Sequence, residues 1–144
     1  MNSFKALIPS FIILVCILTA CDALGRRQRY KVRGQLICPS NPRKAANVKV
    51  KLVDEDDGPD PDDKMAETKT SSDGSYSLDG TESEFTSIEP RLKIYHDCDD
   101  GIKPCQKKIK IKLPERYINK NEYFNGGVIN LEMEFTDQGR DCIH

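Results

Sequence analysis

The sequence predicts an all-β domain, an antiparallel sandwich of seven or eight short strands. Three observations lead there. Apolar and polar residues alternate with period two in run after run, turn residues separate the runs, and no long amphipathic helix interrupts them.

The first element stands apart from the rest. Lys5 precedes the apolar run Ala6 to Ala20, whose 15 residues would span about 22 Å as a helix, short of a hydrocarbon core of roughly 30 Å. This is the pattern of a secretory leader. Small residues are wanted at positions −3 and −1 of the cleavage site, and cutting after Ala23 places Cys21 and Ala23 there. Residues 1–23 are then the signal peptide and residues 24–144 the domain, with no transmembrane segment in the mature form. Leu18-Thr19-Ala20-Cys21 also matches a lipoprotein box, but such short apolar-small-Cys matches arise easily inside a leader. Arg26 to Arg29 reads as a mobile, basic mature N-terminus.

The strands come next. Tyr30, Val32, Gly34 and Leu36 alternate with Lys31, Arg33 and Gln35. Val48, Val50 and Leu52 follow against Lys49 and Lys51, and after the turn Ser72-Asp73-Gly74 come Tyr76 and Leu78. Leu92, Ile94 and His96 alternate with Arg91, Lys93 and Tyr95. Ile109, Ile111 and Leu113 alternate with Lys108, Lys110 and Lys112. The last run, Val128 to Phe135, puts Ile129, Leu131, Met133 and Phe135 on one face. Weaker strands are expected over Met65–Thr70 and Tyr117–Phe124, with at most one helical turn near Asp97–Lys103. Alternation of this kind marks strands with one buried and one solvated face.

Removing the leader leaves 21 basic against 22 acidic residues. That balance excludes a general nucleic-acid binder, which carries a basic surplus. No Asn-x-Ser/Thr sequon is present, so N-glycosylation is not expected. Cys38, Cys98, Cys105 and Cys142 remain, an even set that in an exported chain reads as two disulfides with three possible connectivities. Cys98 and Cys105 bracket a Gly- and Pro-containing turn. Pairing them leaves Cys38 for Cys142, and this is the expected arrangement. A zinc site built from His96, Cys98 and Cys105 matches no common ligand spacing.

Several stretches carry a resemblance to the nematode transthyretin-like proteins. They are Val32 to Cys38 (VRGQLIC), Val48 to Asp63 (VKVKLVDEDDGPDPDD), Asp73-Gly74-Ser75-Tyr76, Glu84-Phe85-Thr86 and Glu89 to Cys105 (EPRLKIYHDCDDGIKPC). Leu113-Pro114, Tyr117-Ile118, Asn130-Leu131-Glu132 and Arg140-Asp141-Cys142 complete the pattern, which runs in order along the whole mature chain. The resemblance implies a transthyretin-like β-sandwich and an extracellular location. It also implies that one family role is open to this chain, that of a secreted bridge between phosphatidylserine on dying cells and an engulfment receptor. The enzymatic relatives of transthyretin, which hydrolyse 5-hydroxyisourate, end in Tyr-Arg-Gly-Ser. This chain ends Arg140-Asp141-Cys142-Ile143-His144, which argues against that hydrolase.

Among surface features, lysines stand first. Lys108, Lys110 and Lys112 share one face of their strand, Lys49 and Lys51 share one face of theirs, and Lys107 is expected to extend the set. Gathered in one sheet, these lysines form a candidate site for an anionic ligand, because each Lys near an anionic bilayer contributes about 1 kcal/mol. The ordinary alternative is that they solvate an exposed strand and blunt edge pairing. The loop Asp54 to Asp63 holds seven carboxylates in ten residues. Its spacing fits no EF-hand, so it reads as a solvated connection rather than a calcium site.

Catalytic groups are scarce. Of the two histidines, His144 is the last residue and His96 sits at a strand end without a nucleophile elbow. The expected function is extracellular recognition of an anionic phospholipid headgroup or a cell-surface receptor, with no catalysis, cofactor or metal. The alternative is carriage of a small apolar ligand.

Overall fold

The computed structural model describes residues 25–56 and 61–144. The expected leader, residues 1–23, lies outside them. Among the described residues eight strands form two sheets: β1 (Arg26–Ile37), β2 (Lys49–Asp54), β3 (Asp63–Lys69), β4 (Ser75–Glu84), β5 (Pro90–His96), β6 (Gln106–Lys112), β7 (Phe124–Asn130) and β8 (Gln138–Asp141). The narrow sheet runs β4-β1-β7 and the wide one β3-β2-β5-β6-β8. The all-β sandwich is as expected, with one difference. β1 and β7 pair in parallel, and the chain crosses from the wide sheet to the narrow one between β6 and β7.

Alternation decides what is buried. Tyr30, Val32 and Leu36 of β1 face Val50 and Leu52 of β2, Leu92 and Ile94 of β5 and Ile109 of β6, all at most 1 % exposed. The residues between them take the opposite parity, where Arg33 faces solvent while Lys31 is covered by its contact to Asn121 and Tyr95 by the His144 ring.

Three expectations fail here for local reasons. Arg26 to Arg29 is not a loose end. It pairs antiparallel with Thr81 to Glu84, and Arg29 Nε donates to Asp79 at 2.7 Å, so opposite charges zip the two strands together. The strand expected over Tyr117–Phe124 is instead a 3-10 turn, Glu115–Tyr117, followed by Asn119 in the left-handed region (φ 60°), and only Phe124 begins β7. The long run Val128–Phe135 stops at Asn130, whose Oδ1 accepts the N–H of Glu132 while its carbonyl accepts that of Met133. This turn leaves Leu131 in the core and Met133 exposed. Near Asp97–Lys103, where at most one helical turn was expected, the chain makes a pair of tight turns, and a 3-10 turn lies at Pro42–Ala45.

Both disulfides differ from the expected pairing. Cys38 joins Cys98, and Cys105 joins Cys142. Cys38 and Cys98 follow the ends of β1 and β5, in different sheets, and both are buried, so this bridge ties sheet to sheet. Gln106 lies opposite Asp141, which sets Cys105 opposite Cys142 one step further on, with Cα atoms 4.4 Å apart. The segment 99–104 is therefore fastened at each end to a different strand rather than closed on itself. Arg140 pins it again through an ion pair to the buried Asp100.

Gly74 is required by the turn it makes. Gly74 closes the turn before β4 at φ 82°, and a Cβ there would lie 2.1 Å from the carbonyl oxygen of Leu36. Gly74→Ala is expected to cost more than about 2 kcal/mol, since it combines left-handed strain with a backbone clash. A urea midpoint unchanged from wild type would contradict this.

Candidate functional site

The outer face of the wide sheet gathers the predicted lysines. β5 lies between β2 and β6, and the register makes rows across the three strands: Lys51, Lys93 and Lys110; Lys49, Tyr95 and Lys108; Val53, Arg91 and Lys112. Strands about 4.8 Å apart set these cations side by side, an arrangement that like-charge repulsion opposes. Lys49, Lys51, Lys108, Lys110 and Lys112 are thus brought together, with Arg91 and Lys93 between them.

Carboxylates from several segments answer this charge. Glu55 contacts Arg91 and accepts from Lys110 Nζ at 2.8 Å, while Asp62 lies 2.6 Å from Lys93 Nζ and 4.0 Å from that of Lys110. The remaining pairs are longer. Glu67 is 3.9 Å from Lys51 and 4.0 Å from Lys49, Asp141 is 3.5 Å from Lys108, and Glu115 is 3.5 Å from Lys112. The His144 ring stacks on Tyr95 with centroids 4.2 Å apart, and its carbonyl oxygen accepts from Lys49 Nζ at 2.9 Å. The hydrogen bond from Lys110 to Glu55 raises the Lys110 pKa above its ordinary value, against the effect of burial. Burial pushes the Asp62 carboxyl up, but Lys93 and Lys110 outweigh it and hold the group below the usual range. Lys51 goes the other way. Burial lowers its pKa and Lys49, Lys64 and Lys93 add to that, with only Glu67 opposing, while its ammonium sits 5.3 Å over the Tyr95 ring.

Lys107 is not part of this set. Sharing parity with the inward Ile109, it points to the other side of the sheet and donates to the carbonyls of Cys98 and Asp99 at 3.2 and 3.1 Å. Arg91 and Lys93 were missed as site residues although their outward parity was readable. What the sequence lacked was the strand order that puts β5 between the two lysine strands.

Among the described residues of the acidic loop, three make specific contacts. Glu55 and Asp62 turn onto the lysine face, whereas Asp54 turns inward and accepts the Glu89 N–H at 2.6 Å. Asp54, Asp56 and Glu84 bring carboxylate oxygens within 4.8 Å of one another. Burial first, then the charges of Glu84, Asp56 and Glu82, push the Asp54 pKa up to about 6, although the Glu89 hydrogen bond opposes the shift.

The two histidines lie on opposite sides of the wide sheet. His96 is buried on the inner side, its Nδ1 accepting the Cys98 N–H at 3.1 Å, and His144 lies on Tyr95 outside. They do not form a pair, and Cys98 and Cys105, each in a disulfide, are not thiolate ligands beside His96. Among the described residues the interior is filled by core side chains. A groove of about 720 Å³ opens to solvent with a mixed lining that includes Arg33, Gln35, Ser77, Tyr76 and Val128, and a smaller one of about 330 Å³ is lined by Leu36, Ile37, Pro39, Pro42 and Ala45.

Fold and face together define a small disulfide-bonded β-sandwich with a patterned, charge-paired outer sheet. The chain belongs to the transthyretin-like family, whose profile matches residues 33–114. Transthyretin-like protein 5 of Caenorhabditis elegans is 49% identical over 138 residues, covering 92% of this chain and 98% of that protein. Transthyretin-like protein 33 of the same organism is 47% identical over 78% of this chain and 80% of its own length, and transthyretin-like protein 46 is 41% identical over 92% and 75%.

Proposed function

We propose that this protein is a secreted recognition module that docks on an anionic phospholipid headgroup or an acidic cell-surface receptor through the outer face of its wide sheet. The observation behind this reading is the in-register array of cations across β2, β5 and β6. A single lysine ladder is an ordinary solubility device, but three adjacent rows make a concentrated field. Lys49, Lys51 and Lys108 are the contact residues of choice. Their side-chain carboxylate partners lie 3.5 to 4.0 Å away, so an incoming anion replaces weak pairs at Lys51 and Lys108, and at Lys49 it also displaces the His144 oxygen at 2.9 Å. Secretion is supported by the leader pattern and by two disulfides, which persist in oxidising compartments.

Co-sedimentation with vesicles tests the lipid arm. Vesicles containing phosphatidylserine should retain the protein at low salt and release much of it at high salt, and neutral phosphatidylcholine vesicles should not retain it. At about 1 kcal/mol per lysine, Lys49→Gln, Lys51→Gln and Lys108→Gln combined should weaken binding roughly a hundredfold. Equal retention on neutral vesicles, or a triple variant that binds like wild type, would refute this surface.

A further inference from the structure

The centre of the lysine face is already filled by a peptide: its own. We infer that Glu55 and Asp62 act as an internal ligand there, and that the face takes an acidic peptide segment of a partner protein in competition with them. This rests on the reading of the face as a docking surface and specifies its partner.

The two carboxylates hold the tight contacts of the array. Glu55 bridges Arg91 and Lys110, and Asp62 holds Lys93 at 2.6 Å with Lys110 4.0 Å away. These groups are sheltered, with side chains 20% exposed for Arg91 and Lys110, 17% for Lys93, 18% for Glu55 and 13% for Asp62. Cations paired this closely are reached by a narrow segment that brings its own carboxylates on short stems, whereas a flat bilayer meets the cations with longer pairs, such as Lys108, 31% exposed, and Lys112, 56% exposed. Connection length points the same way. β2 and β3 are antiparallel neighbours, with Asp54 opposite Asp63, so a hairpin needs only about two to five linking residues, yet residues 55–62 intervene. The longer connection delivers two carboxylates to the face. Held on a short tether, they act at an effective concentration on the order of 1 mM. A free acidic segment with an intrinsic Kd of roughly 0.1 mM would then bind about tenfold more weakly to the intact protein than to one lacking the internal ligand.

The test uses the mature protein and a labelled synthetic peptide copying residues 53–63, read by fluorescence anisotropy at low salt. Glu55→Gln combined with Asp62→Asn should bind this peptide about tenfold more tightly than wild type. A copy with every Asp and Glu replaced by Asn and Gln should not bind. Lys93→Gln with Lys110→Gln, added to the unmasked protein, should abolish binding. Should the double variant not fold by circular dichroism, Glu55→Gln alone, which keeps Asp62 in place, should still show a gain of about threefold. Equal affinity of wild type and the unmasked variant overturns the inference, as does a folded unmasked variant that ignores the acidic peptide. The same preparations on phosphatidylserine vesicles separate the two readings. Peptide binding without vesicle binding removes the lipid arm and leaves the inference standing, and vesicle binding without peptide binding does the reverse.

Discussion

Replacing Cys38 and Cys98 together by alanine is expected to lower stability by about 4 kcal/mol and the melting temperature by roughly 15 °C. The bridge closes a separation of 60 residues, and freeing it returns to the unfolded chain the corresponding loop-closure entropy. Position adds to this. Cys38 and Cys98 are buried, so the double variant also leaves space between the sheets near Leu36. Cys105–Cys142 spans 37 residues, only slightly less in entropic effect, but it joins strands that are already hydrogen-bonded neighbours, and Cys142 is exposed. Its double alanine variant should therefore lose less. Urea melts of the two variants beside wild type, without reductant, give the order directly. A Cys105/Cys142 variant that is the less stable of the two would contradict the claim that the inter-sheet bridge matters more.

The pairing of those cysteines marks where sequence reasoning reached its limit. Local alternation was readable because it depends only on neighbours along the chain, and Val50, Leu52, Ile94 and Ile109 are buried as their parity requires. Which strand lies beside which is set by long-range packing, which parity does not contain. The short spacing of Cys98 and Cys105 was for that reason misleading, and the β2-β5-β6 order that merges two ladders into one face was not readable. Elsewhere the information was present and overridden. Lys107 has the parity of Ile109 and belonged to the inner side from the start. Leu131, Met133 and Phe135 kept strand alternation beyond Asn130, where a side-chain-to-backbone turn competes successfully with the ladder. The acidic loop was legible as composition. Its role was not, because that depends on the cations Glu55 and Asp62 meet across three strands.

Stability is expected to change little between pH 6.5 and 4, because two buried groups titrate there with opposite sign. Asp54, pushed up to about 6 from an ordinary 3.8, binds its proton in the folded state before the unfolded chain does. Acidification from pH 6 towards 3.8 thus relieves the cost of a buried carboxylate and stabilises the fold by about 3 kcal/mol. His96, lowered by burial and by Lys107 to about 4 from 6.5, is protonated first in the unfolded chain. Acidification from pH 6.5 towards 4 therefore destabilises by a similar amount, about 3 kcal/mol. Glu84 is shifted in the direction of Asp54 and His144 in that of His96, so the balance is not upset by their neighbours. Single substitutions should expose each half. Asp54→Asn keeps an acceptor for the Glu89 N–H and should be more stable than wild type at pH 7, then lose about 3 kcal/mol on going to pH 4. His96→Asn keeps a possible acceptor for the Cys98 N–H and, whatever its stability at pH 7, should gain about 3 kcal/mol over the same interval. Below pH 4 all three proteins should weaken together, as Asp62, Asp79 and Asp100, held low in the folded state by Lys93, Arg29 and Arg140, take up protons. Urea midpoints at pH 7, 5.5 and 4 provide the measurement. If both variants stay as level as wild type across that range, neither group carries the burden assigned to it, and the level profile has another origin.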